Sequence, residues 1–183
     1  MNLKSLLFIS ALAYANLVSA LPDDRSQAIN LSSDSASYES NQGTYTGNVE
    51  MSQGSLKIKA DKLTIVESER KVDTVIAEGA PASFEQQTNA SEGVVTASAN
   101  RIEYRIDNEE ILLLNNAEIS HQGSRISGDR IFYNGRKQTV VADGGNTEQE
   151  TRVKMILQPQ AAPETKPSTI KPGSEPATKK EIR

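Results

Sequence analysis

Between Gln27 and Leu157 short runs alternate apolar and polar residues with a period of two, and no stretch keeps a helical period. The alternation is plainest in Tyr45–Ser52 and Asn100–Ile106. Ile111-Leu112-Leu113-Leu114 is a continuous apolar run and predicts a segment more buried than its neighbours. Turn clusters punctuate the chain at Asn41-Gln42-Gly43, Gln53-Gly54, Gly79-Ala80-Pro81, Asp107-Asn108, Asn115-Asn116, Asn134-Gly135 and Gly144-Gly145. Regularly spaced strands with turns between them predict an all-β sandwich, jelly roll or open roll.

The alternation slips at fixed places. A pattern of an apolar or small residue, a small residue, Asp or Asn, and two further apolar residues recurs four times. The copies are Leu31-x-Ser33-Asp34-x-Ala36-x-Tyr38, Ile58-x-Ala60-Asp61-x-Leu63-x-Ile65, Ala97-x-Ala99-Asn100-x-Ile102-x-Tyr104 and Ile126-x-Gly128-Asp129-x-Ile131-x-Tyr133. Before the small residue the apolar side chains keep one parity; after the Asp or Asn they keep the other. A one-residue change of phase predicts a bulge or sharp bend, with the small residue easing the backbone and the Asp or Asn bonding nearby main chain. Each copy therefore predicts two short strands meeting at a corner. A catalytic or calcium-binding column is the sharper reading, but the dense Gly and Asp spacing of calcium repeats is missing.

A longer repeat agrees. Asn48-Val49-Glu50-Met51-Ser52 matches Asn116-Ala117-Glu118-Ile119-Ser120, and Ala60-Asp61-Lys62-Leu63 matches Gly128-Asp129-Arg130-Ile131. Val75-Ile76-Ala77-Glu78-Gly79 matches Val140-Val141-Ala142-Asp143-Gly144. Two related halves, each a meander of strands, are expected.

The two ends read differently. Lys4 precedes an apolar run from Leu6 to Val18, and Val18-Ser19-Ala20 offers small residues for cleavage after Ala20, so residues 1–20 read as a cleavable signal peptide. Residues 158–183 hold five of the seven prolines amid Thr, Lys, Glu and Ser, and read as a disordered tail. Residues 21–157 are left as one domain.

Composition narrows the class. The chain carries −4 overall; setting aside Lys4 and the tail's five cations and three anions leaves residues 21–157 at −7. So acidic a domain is a poor nucleic-acid binder, which needs cations for phosphates. There is no cysteine, so thiol chemistry and cysteine–zinc sites are excluded. At 36% hydrophobic and 4% aromatic, the chain suits a slim, elongated β structure better than a compact sphere. The ends of such a structure are open sheet edges, which pair with other chains. Gln27–Ser32 and Thr151–Leu157 are the candidate end strands, with Ile29, Leu31, Val153, Met155 and Leu157 as edge residues.

An enzyme finds little support. The single histidine, His121, sits beside a predicted turn, and no G-x-S-x-G, P-loop, H-E-x-x-H or G-x-G-x-x-G occurs. Asp61 and Asp129 are the carboxylates that a glycoside hydrolase would pair, but their corner role explains them. No cofactor is expected.

The run Thr44-Tyr45-Thr46-Gly47-Asn48-Val49-Glu50-Met51-Ser52-Gln53-Gly54-Ser55-Leu56-Lys57-Ile58-Lys59-Ala60-Asp61-Lys62-Leu63 resembles the LptA family of OstA-like lipopolysaccharide transport domains. Ile29-Asn30-Leu31-Ser32-Ser33-Asp34, Gly79-Ala80-Pro81-Ala82-Ser83-Phe84 and Ile126-Ser127-Gly128-Asp129-Arg130-Ile131 fit the same family, so the resemblance covers residues 26–157. It implies an elongated β-jelly roll of many short antiparallel strands, V-shaped in section and open at both ends. It implies periplasmic residence and copies stacked head to tail through terminal strands. The stack would run from an inner-membrane LptC partner to the outer-membrane LptD–LptE translocon. Lipid A acyl chains would lie inside.

The interior positions the resemblance assigns are Ile29, Leu31, Phe84 and Tyr104. Inward alternation adds Val49, Met51, Leu56, Ile58, Leu63, Ile65, Ile102, Ile126 and Ile131, for which plain core packing is an equal reading. Glu67-Ser68-Glu69-Arg70-Lys71 departs from the glycine-rich loop of the family, and Glu85-Gln86-Gln87 follows Phe84 where an aromatic is common. The alternatives are a β scaffold that self-assembles without lipid, or another OstA-like protein.

Overall fold

The computed structural model describes residues 24–89, 93–145 and 152–158; the expected signal peptide and nearly all of the expected tail lie outside them. A single 3-10 turn, Asp24–Ser26, precedes ten strands: β1 (Asn30–Ser32), β2 (Ser35–Glu39), β3 (Gln42–Gln53), β4 (Leu56–Ser68), β5 (Lys71–Asn89), β6 (Gly93–Arg105), β7 (Glu110–His121), β8 (Ser124–Asn134), β9 (Thr139–Asp143) and β10 (Lys154–Ile156). All pairings are antiparallel, in the order β1-β3-β4-β5-β6-β7-β8-β10, with β2 also on β3 and β9 also on β8.

The predicted corners are where the ladder slips. Between β3 and β4 the register jumps from Thr46↔Lys62 to Val49↔Ala60, across Asp61. Between β6 and β7 it jumps from Ser98↔Glu118 to Arg101↔Leu114, across Asn100. Between β7 and β8 it jumps from Leu114↔Arg130 to Ala117↔Gly128, across Asp129. The two short strands expected at each of these corners are one long strand, kinked in the middle. Asp34 links β1 and β2 instead. Its N–H donates to the Gly47 carbonyl at 2.9 Å, and its carboxylate accepts from Asn48 Nδ2 at 2.9 Å.

The parity flip has the predicted effect. Leu56 and Ile58 are buried before the corner of β4, Leu63 and Ile65 after it. In β6, Val95, Ala97 and Ala99 are followed by Ile102 and Tyr104. Each kinked strand thus keeps one face inward through the bend, and the sheet folds into two arms over a single apolar core.

The neighbouring strands turn by a second device. β3 and β7 keep their parity and instead insert two left-handed residues, Gly47-Asn48 (φ 82 and 46) and Asn115-Asn116 (φ 61 and 54). The internal repeat had aligned Asn48 with Asn116, and both do the same backbone work. Two turn assignments are corrected by this. Asn115-Asn116 and Gly79-Ala80-Pro81 do not end strands; they are the bends of β7 and β5, the latter with a cis Ala80–Pro81 bond. A bulge and a reverse turn use the same residues, so local sequence does not separate them.

Gly47 is fixed by this geometry. A Cβ there would stand 2.3 Å from Asp34 Oδ2, at a φ that β-branched residues rarely adopt. Gly47→Val is expected to lower stability by about 2 kcal/mol or more in urea unfolding. A loss below about 0.5 kcal/mol would show that the corner tolerates an ordinary residue.

Candidate functional site

The inward residues form rows that cross the strands. In the arm holding the first half of β4, Leu31 pairs with Met51, then Ile58, Phe84, Ala97, Ile119, Ile126 and Met155, one from each successive strand. In the other arm, Ala36 pairs with Tyr45, then Leu63, Ala77, Ile102, Leu113, Ile131 and Ala142. A parallel row there runs through Ile65, Val75, Tyr104, Ile111, Tyr133 and Val140. The first row crosses eight strands, a span of about 34 Å at about 4.8 Å per strand. An apolar track therefore joins one edge of the sheet to the other.

Between the arms the rows pack against each other. Val49, Met51, Leu56, Ile58, Leu63, Ile65, Phe84, Ile102, Tyr104 and Ile131 are buried, and Ile29, Leu31 and Ile126 are half-buried against them. Val75, Ala77, Ala82, Val95, Ala117, Ile119 and Tyr133, which sequence reading did not assign to the interior, are also buried, as are Ile111 and Leu113 of the apolar run. The signal for Leu113 was in the apolar run, whose odd members Ile111 and Leu113 face in while Leu112 and Leu114 are half-buried on the other face.

Phe84 and Tyr104 come from opposite arms and meet edge to face, with ring centroids 5.4 Å apart and planes at 65°. Burial pushes the Tyr104 hydroxyl up to about 12, with a hydrogen bond to Gln86 pulling it partly back. The phenol therefore stays neutral at any physiological pH, as an apolar interior requires.

The outer face is charged in cross-strand pairs. Lys59 Nζ meets Glu50 Oε1 at 2.6 Å and Lys57 Nζ meets Glu85 Oε1 at 3.4 Å. Arg101 holds Glu78 at 2.6 Å and Glu103 at 2.8 Å, and Lys62 adds a third contact on Glu78 at 3.4 Å. Slight burial pushes the Glu78 carboxyl up, but Lys62 and Arg101 outweigh it and hold it below the usual carboxylate range. A greasy inside and a salted outside thus share each strand.

Both ends of the sheet are short strands with one side unpaired. β1 and β10 contribute three residues each, fewer than the longer end strands expected. Leu31 and Met155 lie in them, whereas Ile29, Val153 and Leu157 flank them. Val153, Met155, Ile156 and Leu157 are exposed, Met155 at 56% and Leu157 at 69%. Beside β1 lies a pocket of about 340 Å³ lined by Asn30, Leu31, Ser32, Glu50, Met51, Ser52, Lys57, Ile58 and Lys59. His121 is half-buried at the end of β7. Among the described residues no group of His, Asp and Glu is placed to hold a metal. None of their helices is long and apolar enough to cross a membrane.

The fold and interior together define an open antiparallel roll with an apolar track between charged outer walls. Residues 29–139 match the family described as "LptA/(LptD N-terminal domain) LPS transport protein", and the chain belongs to that family. It is 37% identical to the lipopolysaccharide export system protein LptA of Haemophilus influenzae, over 87% of this chain and 95% of that one. With the Escherichia coli K12 protein of the same name it shares 30% identity over 84% of each chain. A crystal structure of LptH from Pseudomonas aeruginosa, described as the LptA-homologous periplasmic component of the lipopolysaccharide transport device, superposes with a TM-score of 0.69 at 28% identity. That match covers 75% of this chain and all of the other.

Proposed function

We propose that this protein carries lipopolysaccharide through the periplasm, holding lipid A acyl chains between its arms while the sugars stay in water. The observation that carries this reading is the apolar track from Leu31 to Met155. Moving one CH₂ from an apolar site to water costs roughly 0.8 kcal/mol, so a twelve-carbon chain costs about 10 kcal/mol. Lipid A has several such chains, and free diffusion across an aqueous gap is closed to it. A track spanning the whole sheet keeps each chain dry over that length. Energy for directed movement comes from a nucleotide-driven partner, since this sequence holds no nucleotide motif.

In the same reading residues 1–20 direct export and are removed, residues 21–157 are the carrier, and residues 158–183 are a tail. The exposed edges at β1 and β10 join copies head to tail, because an open edge offers main-chain donors and acceptors to a further strand. The terminal copies would join an LptC-like inner-membrane partner and the LptD–LptE translocon. The protein acts as a carrier and does no bond-making chemistry.

Photocrosslinking in living cells tests the carrier role. A photoreactive residue at Phe84 or at Tyr104 is expected to form adducts with lipopolysaccharide, and one at Lys59, on the charged outer face, is expected to form none. Exported, folded protein without adducts at both interior positions would leave a self-assembling scaffold as the better reading.

A further inference from the structure

The described chain begins with a segment seated on the rim of one arm, from which one side chain crosses to the other. Asp24 is fastened to one rim. Its Oδ1 accepts from the Ser55 N–H at 2.7 Å, and its Oδ2 accepts from Ser55 Oγ at 2.5 Å and Gln86 Nε2 at 3.1 Å. Gln53 Nε2 donates to the Arg25 and Gln27 carbonyls at 3.4 and 3.1 Å. Ser55, Gln53 and Gln86 all stand at the tip of the arm that carries Phe84. Arg25, the very next residue, reaches the other rim. Its Nη1 lies 3.5 Å from Oε1 of Glu109, in the β6–β7 turn at the tip of the arm that carries Tyr104. Gln86, two residues beyond Phe84 on the same face of β5, bonds Asp24, and Phe84 meets Tyr104 edge to face.

The two fastenings differ in strength. Asp24 uses both oxygens on three donors, including a main-chain N–H, and is partly buried. The Arg25–Glu109 pair joins side chains 40% and 33% exposed, and ion pairs that exposed hold weakly in water. Glu109 Oε1 also lies 3.5 Å from Arg136 Nε, on its own arm. When Arg25 leaves, Glu109 keeps a cation. Opening therefore strands no anion at the rim.

We propose that Asp24–Gln27 is a strap mounted on the Phe84 arm, that its Arg25 side chain holds the mouth of the roll closed in the unloaded protein, and that the Arg25–Glu109 pair parts when an acyl chain enters. The strap rests on the carrier reading for its cargo, not for its existence. With it closed the interior side chains are buried against one another, so a chain enters only where the arms part.

The test uses the full exported protein with a photoreactive residue at Phe84 and purified lipopolysaccharide as probe. Arg25→Ala is expected to raise the initial rate of adduct formation at least threefold without shifting the thermal midpoint. Leu112→Ala, which loosens packing on the outer face and leaves the apolar track untouched, serves as control and is expected to leave the rate unchanged. Equal acceleration by both variants would mean general breathing and would overturn the strap.

Hydrogen exchange, which needs no lipid, is the second readout. Asp24→Ala is expected to speed amide exchange at residues 82–86 and 102–104 by about tenfold, the scale of one lost charge-assisted hydrogen bond, while Lys59→Ala leaves it alone. Unchanged exchange in Asp24→Ala sinks the strap whatever the lipid does. Faster exchange with no adduct in any variant sinks the carrier reading and leaves the strap standing.

Discussion

Leu113→Asp is expected to destabilise the protein by about 4 kcal/mol or more, whereas Leu112→Asp, one residue away, is expected to cost less than about 1.5 kcal/mol. Leu113 is fully buried in the inward row between Ile102 and Ile131. A carboxylate there has no cation and no water. Leu112 lies between Glu103 and Phe132 on the outer face, half-buried, in a hollow that Arg105 and Arg130 also line. A carboxylate there meets solvent and two guanidinium groups, which offset its repulsion from the neighbouring Glu103 and Glu110 carboxylates. Thermal unfolding separates the two, with a drop of roughly 12 °C or more for the first. Equal drops for both would mean that the outer hollow is also core, and the two-faced strand would have to be abandoned.

The second large effect concerns assembly. The double substitution Met155→Glu, Leu157→Glu is expected to abolish concentration-dependent self-association and leave the thermal midpoint within about 2 °C. Both side chains are more than half exposed, so neither supports the fold. Met155 nevertheless ends the apolar row that begins at Leu31. A following copy would continue that row, and two carboxylates at the junction would be driven into it at high cost. Sedimentation velocity over a hundredfold concentration range reads the outcome. Association that persists unchanged would remove β10 from the junction and point to β9 or β2.

Much of this molecule was written in its sequence, and the corners show why. A parity flip is a local event, so Ala60-Asp61 and Ala99-Asn100 announced themselves without any knowledge of the fold. The Gly47-Asn48 and Asn115-Asn116 bends did not, because two extra residues leave parity intact and look like a turn. Only the repeat that paired Asn48 with Asn116 hinted at their shared role. Interior positions were legible where a strand carries large apolar residues, as at Leu56, Ile58 and Leu63. They were missed at Ala77, Ala82 and Ala117, since alanine on an inward face carries almost no signal. Asp24 and Arg25 were invisible for another reason. Their meaning lies in Ser55, Gln86 and Glu109, which fold-level geometry alone brings within reach.

The ladder of the sheet runs along the roll's long axis, so hydrogen bonds between strands carry a pull from end to end before the covalent backbone is drawn out. Under load along that axis the strength of the roll is set by its shortest ladder. Inside the unit β3 and β4 pair from Gln42 to Gln53, but at the ends only Asn30, Leu31 and Ser32 hold β1, and only Lys154, Met155 and Ile156 hold β10. A pull on either end of the sheet would therefore peel β1 or β10 first, while the longer ladders between them hold.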